Sequence, residues 1–102
     1  MIEKVIIYWR DIPSQVLLRR GRTKAKALLS ERFQDAIDRA AMRARKADAA
    51  AYIEEWRRER TEMECEGDLD ECAKAQVALI EADFPHEKLE AFIRNHALKP
   101  DA

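Results

Sequence analysis

Apolar and polar positions alternate with a period of two near the start of the chain and shift to a helical period beyond residue 30. Ile2 to Trp9 gathers β-branched and aromatic residues in a run too short for a helix, which predicts a strand over 2–9. Its odd positions Val5, Ile7 and Trp9 form one apolar face, read here as the inner one. Ile6 and Tyr8, flanked by Lys4 and Arg10, form the weaker second face, which stays open if helices cover only the odd side. Asp11-Ile12-Pro13-Ser14 reads as a corner, because Pro13 fixes φ while Asp11 and Ser14 can bond local backbone groups. Gln15 to Arg20 follows as a second strand, antiparallel to the first because so short a link allows no crossover.

Gly21-Arg22 fits a two-residue type II′ hairpin turn. A third strand is then expected over 23–28, with a helix start as the alternative, since Ala and Lys are weak strand formers. Ser30 and Glu31 open a helix over 31–46, with Phe33, Ile37, Ala40, Ala41 and Ala44 at helical spacing and basic residues at its end. Asp48 caps a second helix over 49–59, with Tyr52, Ile53 and Trp56 on one stripe and a Glu54–Arg58 pair on the other side. Thr61 to Glu66 alternates and reads as a strand with an acidic outer face. Asp68-Leu69-Asp70-Glu71 is a capping box for a helix over 68–82, and Phe84-Pro85 opens a last one over 86–97. The expected fold is α+β: a single domain over 1–98, a three- or four-stranded, largely antiparallel sheet with helices mainly on one face, and a frayed tail at 99–102.

Composition narrows the class without naming a chemistry. The 102 residues are 47% hydrophobic and 38% charged, which suits one modest core and neither a disordered polyelectrolyte nor a membrane span. The apolar run Val5–Trp9 is far below the ~20 residues that cross a bilayer, and the start lacks the longer apolar stretch of a signal peptide, so no membrane and a cytoplasmic location are expected. Net charge is −1 overall but +5 over residues 1–30, +1 over 31–60 and −7 over 61–102. Such a layout either docks the C-terminal helices on the sheet or leaves surfaces of opposite sign.

Candidate chemistry is sparse. Cys65 and Cys72 with His86 and His96 do not match zinc-ligand spacing, and the two cysteines read as inert buried thiols, a disulfide or redox pair being the alternative. His96 sits on an apolar helical stripe and reads as a packed histidine, His86 as an exposed one. Asp68-Leu69-Asp70 lacks the later glycine and terminal acid of a calcium loop. With two glycines in the chain there is no phosphate loop, and neither a catalytic residue, a metal site nor a cofactor is indicated. An enzyme is the less favoured class. The sharpest polar feature is the hairpin Arg19, Arg20, Arg22, Lys24 and Lys26. Tyr8, Arg10, Arg19, Arg20, Arg22 and Lys24 are therefore the candidate partner-binding residues, for an acidic protein surface or a second copy of the chain. A solvated basic hairpin is the plain alternative. Nucleic acid is disfavoured by a pI of about 6.1 and by a single exposed aromatic beside the arginines.

The run Val5-Ile6-Ile7-Tyr8-Trp9-Arg10-Asp11-Ile12-Pro13-Ser14-Gln15-Val16, followed by Arg20-Gly21-Arg22-Thr23-Lys24-Ala25-Lys26 and Leu29 to Asp38, resembles a bacterial family labelled "virulence factor". That small domain is similar to the C-terminal part of larger proteins called conserved virulence factor C. The resemblance carries no catalytic residue. It implies a setting among folate- and corrinoid-dependent one-carbon enzymes, and hence, as a second reading, an accessory component of a methyl-transfer system. The first reading is a non-catalytic interaction module.

Overall fold

Strand-forming residues at Ile2–Trp9 build β1, which lies inside a four-stranded sheet. It pairs antiparallel on one side with β2 (Ile12–Arg20) and on the other with β4 (Trp56–Met63), and β3 (Thr23–Leu28) flanks β2, so the order is β3-β2-β1-β4. A computed structural model describes residues 1–46 and 48–100. The helices are α1 (Glu31–Arg43), α2 (Ala49–Glu54), α3 (Leu69–Asp83) and α4 (His86–Arg94). The fold is α+β, as expected, and segment 23–28 is a strand and not the start of a helix.

Three details of the expected layout change. The turn between β1 and β2 is Arg10-Asp11, tighter than the predicted corner, and Pro13 lies within β2. The missing N–H of Pro13 is accommodated by a shift in register, with Ile7 opposite Gln15 but Tyr8 opposite Pro13. Arg10 takes φ +54, unusual for a non-glycine residue, and is held there by an ion pair with Glu55 at 3.2 Å and a bond to the His96 carbonyl at 3.0 Å. The second helix ends at Glu54, not residue 59, and the strand predicted over 61–66 runs instead over Trp56–Met63. A helical Glu54–Arg58 pair contributes only about 0.2–0.5 kcal/mol, whereas β4 pairs with β1 along its whole length. The first and last helices stop at Arg43 and Arg94, short of the predicted 46 and 97. His96, expected in the core, is exposed with φ +61. Of the predicted frayed tail, Lys99 is tied by its N–H to Asp11 Oδ2 at 2.7 Å, and Asp101 and Ala102 lie outside the described residues.

Two apolar clusters hold the layers together. One joins Trp9 and Ile12 to Phe33, Ile37 and Ala40 of α1, to Phe84, and to Leu89, Phe92 and Ile93 of α4. The other joins Ile2, Val16, Leu18 and Ala25 of the sheet to Leu69 and Ala73 of α3. Val77 and Ile80 of α3 touch both. The helices therefore lie against Ile2, Lys4 and Ile6 of β1, so Val5 and Ile7 take the face expected to be open, while Trp9 at the strand's end packs among helix residues as expected of an inner position.

Opposite charges from the two halves of the chain meet at Glu81. Its carboxylate accepts from the Ser30 N–H at 2.7 Å, the Ser30 hydroxyl and the Arg32 guanidinium, tying α3 to the start of α1. Partial burial pulls the Glu81 pKa up, but the Ser30 bonds and Arg32 outweigh it and hold the group below the ordinary carboxylate value. A lowered folded-state pKa stabilises the protein above the unfolded value, and that stability is lost as pH falls through the folded one. Glu81→Gln is expected to cost about 1–3 kcal/mol at neutral pH. The deficit should shrink as pH falls below the ordinary carboxylate value and through the lower one of the folded state, where the wild type protonates too. Urea titrations of both proteins at several pH values check this, and a constant deficit would count against it.

Candidate protein-docking surface

Short of Trp9, one face of the sheet has no helix packed on it among the described residues, and strand register assigns its residues. Across β3-β2-β1-β4 they form three rows: Leu28, Gln15, Ile7, Arg58; then Lys26, Leu17, Val5, Arg60; then Lys24, Arg19, Glu3, Glu62. Alternation puts Ile2, Lys4 and Ile6 on the opposite face, where Lys4 Nζ donates to Gln76 of α3 at 3.2 Å. The open face thus has an aliphatic middle bordered by cations.

Arg19, Lys24, Lys26, Arg58 and Arg60 rim a groove of about 380 Å³ that includes Val5, Leu17 and Glu3. Val5 is only 4% exposed although no helix covers it, because the neighbouring long side chains lay their methylenes over the floor and keep their charged heads in water. Leu28, at the corner of the same face, is 64% exposed. Glu3 answers Arg60 at 3.3 Å and Arg19 at 3.9 Å. Among the described residues, Lys24, Lys26 and Arg58 have no carboxylate in ion-pair range. The face carries excess positive charge over an apolar centre, although the chain as a whole is slightly acidic.

The six residues singled out by sequence separate. Arg19 and Lys24 stand opposite each other on this face. Arg22 is exposed in the Gly21-Arg22 turn, where Gly21 takes φ +59 as the hairpin requires. Arg20 points to the helix side and donates to the carbonyls of Cys65 at 2.8 Å and Gly67 at 3.1 Å, fastening the loop after β4. Arg10 is absorbed by the β1–β2 turn. Tyr8 is on the helix side too, stacked beneath Arg57, whose guanidinium lies 4.3 Å from its ring centre. Burial and the nearby Glu59 raise the Tyr8 hydroxyl pKa despite Arg57, so it remains a neutral phenol. The expectation of an exposed Tyr8 at the centre of the open sheet face is therefore corrected: Val5, Ile7 and Leu17 take that place.

Lys26, Arg58 and Arg60 complete the rim. Lys26 was visible as part of the basic hairpin. Reading Trp56–Glu59 as helix hides Arg58, and starting the strand at Thr61 hides Arg60; Trp56–Met63 has no alternation of apolar and polar residues, and only the pairing with β1 places both arginines on this face. Cys65 and Cys72 form a disulfide, which replaces the expectation of two inert thiols. Among the described residues, no three His, Cys, Asp or Glu side chains gather as a metal site, and no helix is long and apolar enough to cross a membrane.

A family model described as "Virulence factor" matches residues 7–93, which spans β1 to α4 and includes most of the groove. No curated protein and no solved structure matches the chain.

Proposed function

The chain belongs to the virulence factor family, and we propose that within it the domain is a protein-docking module whose basic, helix-free sheet face receives an acidic protein surface. The observation that carries this reading is the cluster Lys24, Lys26 and Arg58, unpaired among the described residues, around the aliphatic floor of Val5 and Leu17. Cations held without intramolecular partners attract an acidic surface and steer its approach, and an apolar floor supplies the desolvated centre that interfaces use. The groove lining has no aromatic ring on which a nucleobase could stack, which favours protein over nucleic acid.

Binding can be followed with two probes of similar charge, poly-glutamate and a single-stranded oligonucleotide. Wild-type protein is expected to bind the polypeptide in a salt-sensitive manner and to prefer it. Lys24→Glu/Lys26→Glu/Arg58→Glu should weaken that binding by about tenfold or more while leaving the melting temperature nearly unchanged. Preference for the oligonucleotide, or equal affinity of the variant for poly-glutamate, would overturn the proposal.

A further inference from the structure

β4 closes one side of the sheet, and its outer edge is open. Residues Arg58 to Glu62 are all exposed, and among the described residues no backbone group of theirs bonds to anything but β1. An open strand edge is a template for another strand. The composition of this one defines which strand can use it. We infer that β4 pairs antiparallel with β4 of a second copy, with Thr61 on the two-fold axis, to make a continuous eight-stranded sheet.

The register follows from geometry and charge. In an antiparallel pair related by a two-fold axis normal to the sheet, opposed residues share a face, so the axis falls on a residue that meets its own copy. Between Arg58 and Glu62, only Thr61 is uncharged; centring on any other residue sets an arginine against an arginine or a glutamate against a glutamate. With Thr61 on the axis, Arg60 faces Glu62 of the second copy and Arg58 faces Glu64, and symmetry makes each pair twice. Glu59 then lies opposite Met63, so no like charges are opposed. Thr61 opposite Thr61 is a favourable strand pair.

A second feature of the chain points the same way. Within one protomer, Glu62 is placed directly opposite Glu3, an unfavourable pair of like charges. Glu3 has Arg60 and Arg19, but Glu62 has no ion pair among the described residues. Arg60 of a second copy would reach Glu62 from the open side and relieve that repulsion. The backbone pairing uses the edge; it draws Arg58 and Arg60 of the groove rim into ion pairs with the second copy and leaves Arg19, Lys24 and Lys26 of each protomer to the basic face.

Sedimentation equilibrium of the whole chain tests this. Wild type is expected to dimerise. Arg60→Glu and Glu62→Arg alone each place like charges across the axis and should raise the dimer dissociation constant by about tenfold or more. The swap Arg60→Glu/Glu62→Arg restores opposite charges and should restore the dimer, which separates loss of pairing from loss of folding. Thr61→Cys should form an interchain disulfide under mild oxidation, whereas Glu59→Cys, two residues from the axis, should not. A wild type that stays monomeric to its solubility limit overturns the inference, as does a dimer insensitive to both single substitutions.

Discussion

Trp9→Ala is expected to be the most destabilising single truncation in this chain, at about 3–5 kcal/mol. Trp9 has no exposed surface and lies where the β1–β2 turn meets α1 and α4. Its ring stacks on Tyr52 at 5.7 Å between centroids, and its Nε1–H donates to the Tyr52 carbonyl at 2.8 Å. Truncation would open a cavity, leave that carbonyl without its donor and loosen the short α2, none of whose residues is buried. For a domain of this size the loss corresponds to a melting temperature lower by roughly 12–40 °C. Trp9→Phe keeps most of the ring volume but not the donor and should cost less. Calorimetry of both variants checks the ordering; equal losses would mean that the hydrogen bond and not the packing dominates.

Reduction of the Cys65–Cys72 disulfide should produce the second large effect. The bond joins the loop after β4 to the first turn of α3 across a separation of seven residues. Closing so short a loop removes about 2–3 kcal/mol of unfolded-chain entropy in the chain-entropy account. The same loop is held by Arg20 through the Cys65 and Gly67 carbonyls and by the Asp68 cap, whose side chain accepts from the Glu71 N–H. The fold is therefore expected to survive reduction in weakened form. Urea midpoints with and without a dithiol reductant measure the difference, and Cys65→Ser/Cys72→Ser should match the reduced protein. Identical midpoints would show that the thiols do not pair. In a reducing compartment the protein would operate at the lower stability.

The local signals that proved legible are those decided within a few residues. Asp48 and Asp68 cap their helices as their spacing implied, because a short acidic side chain at that position can reach a backbone N–H three residues on. Gly21 marks its hairpin because only a residue tolerant of positive φ fits there. Ser30 is the instructive exception. Its position before α1 was correct, yet its side chain makes no cap and bonds instead to Glu81, fifty-one residues away. Trp56 failed for a similar reason. Its spacing from Tyr52 is helical, and the two rings do pack, at 5.7 Å and 80°, but across a turn between α2 and β4.

The candidate surface was half visible. The basic hairpin and the existence of a bare sheet face followed from composition and strand order. Which face is bare did not, because β1 is apolar on both sides: Ile2 and Ile6 on one, Val5 and Ile7 on the other. Alternation sorts residues into two faces but does not say which one α3 will cover. Leu69 and Ala73 decide it by packing on Ile2, Val16, Leu18 and Ala25.

The α+β class, the antiparallel hairpins, most helix starts and the family signature are written in the order of neighbouring residues, on which each depends. Packing between distant segments is what commits Arg10 and Arg20 to the turn and loop they fasten, lays Arg57 over Tyr8, and brings Arg58 and Arg60 beside Arg19, Lys24 and Lys26 around Val5 and Leu17. Those outcomes depend on which strand lies beside β1 and on which face the helices settle. Both are chosen by burial summed over the whole chain, a quantity that no local stretch contains.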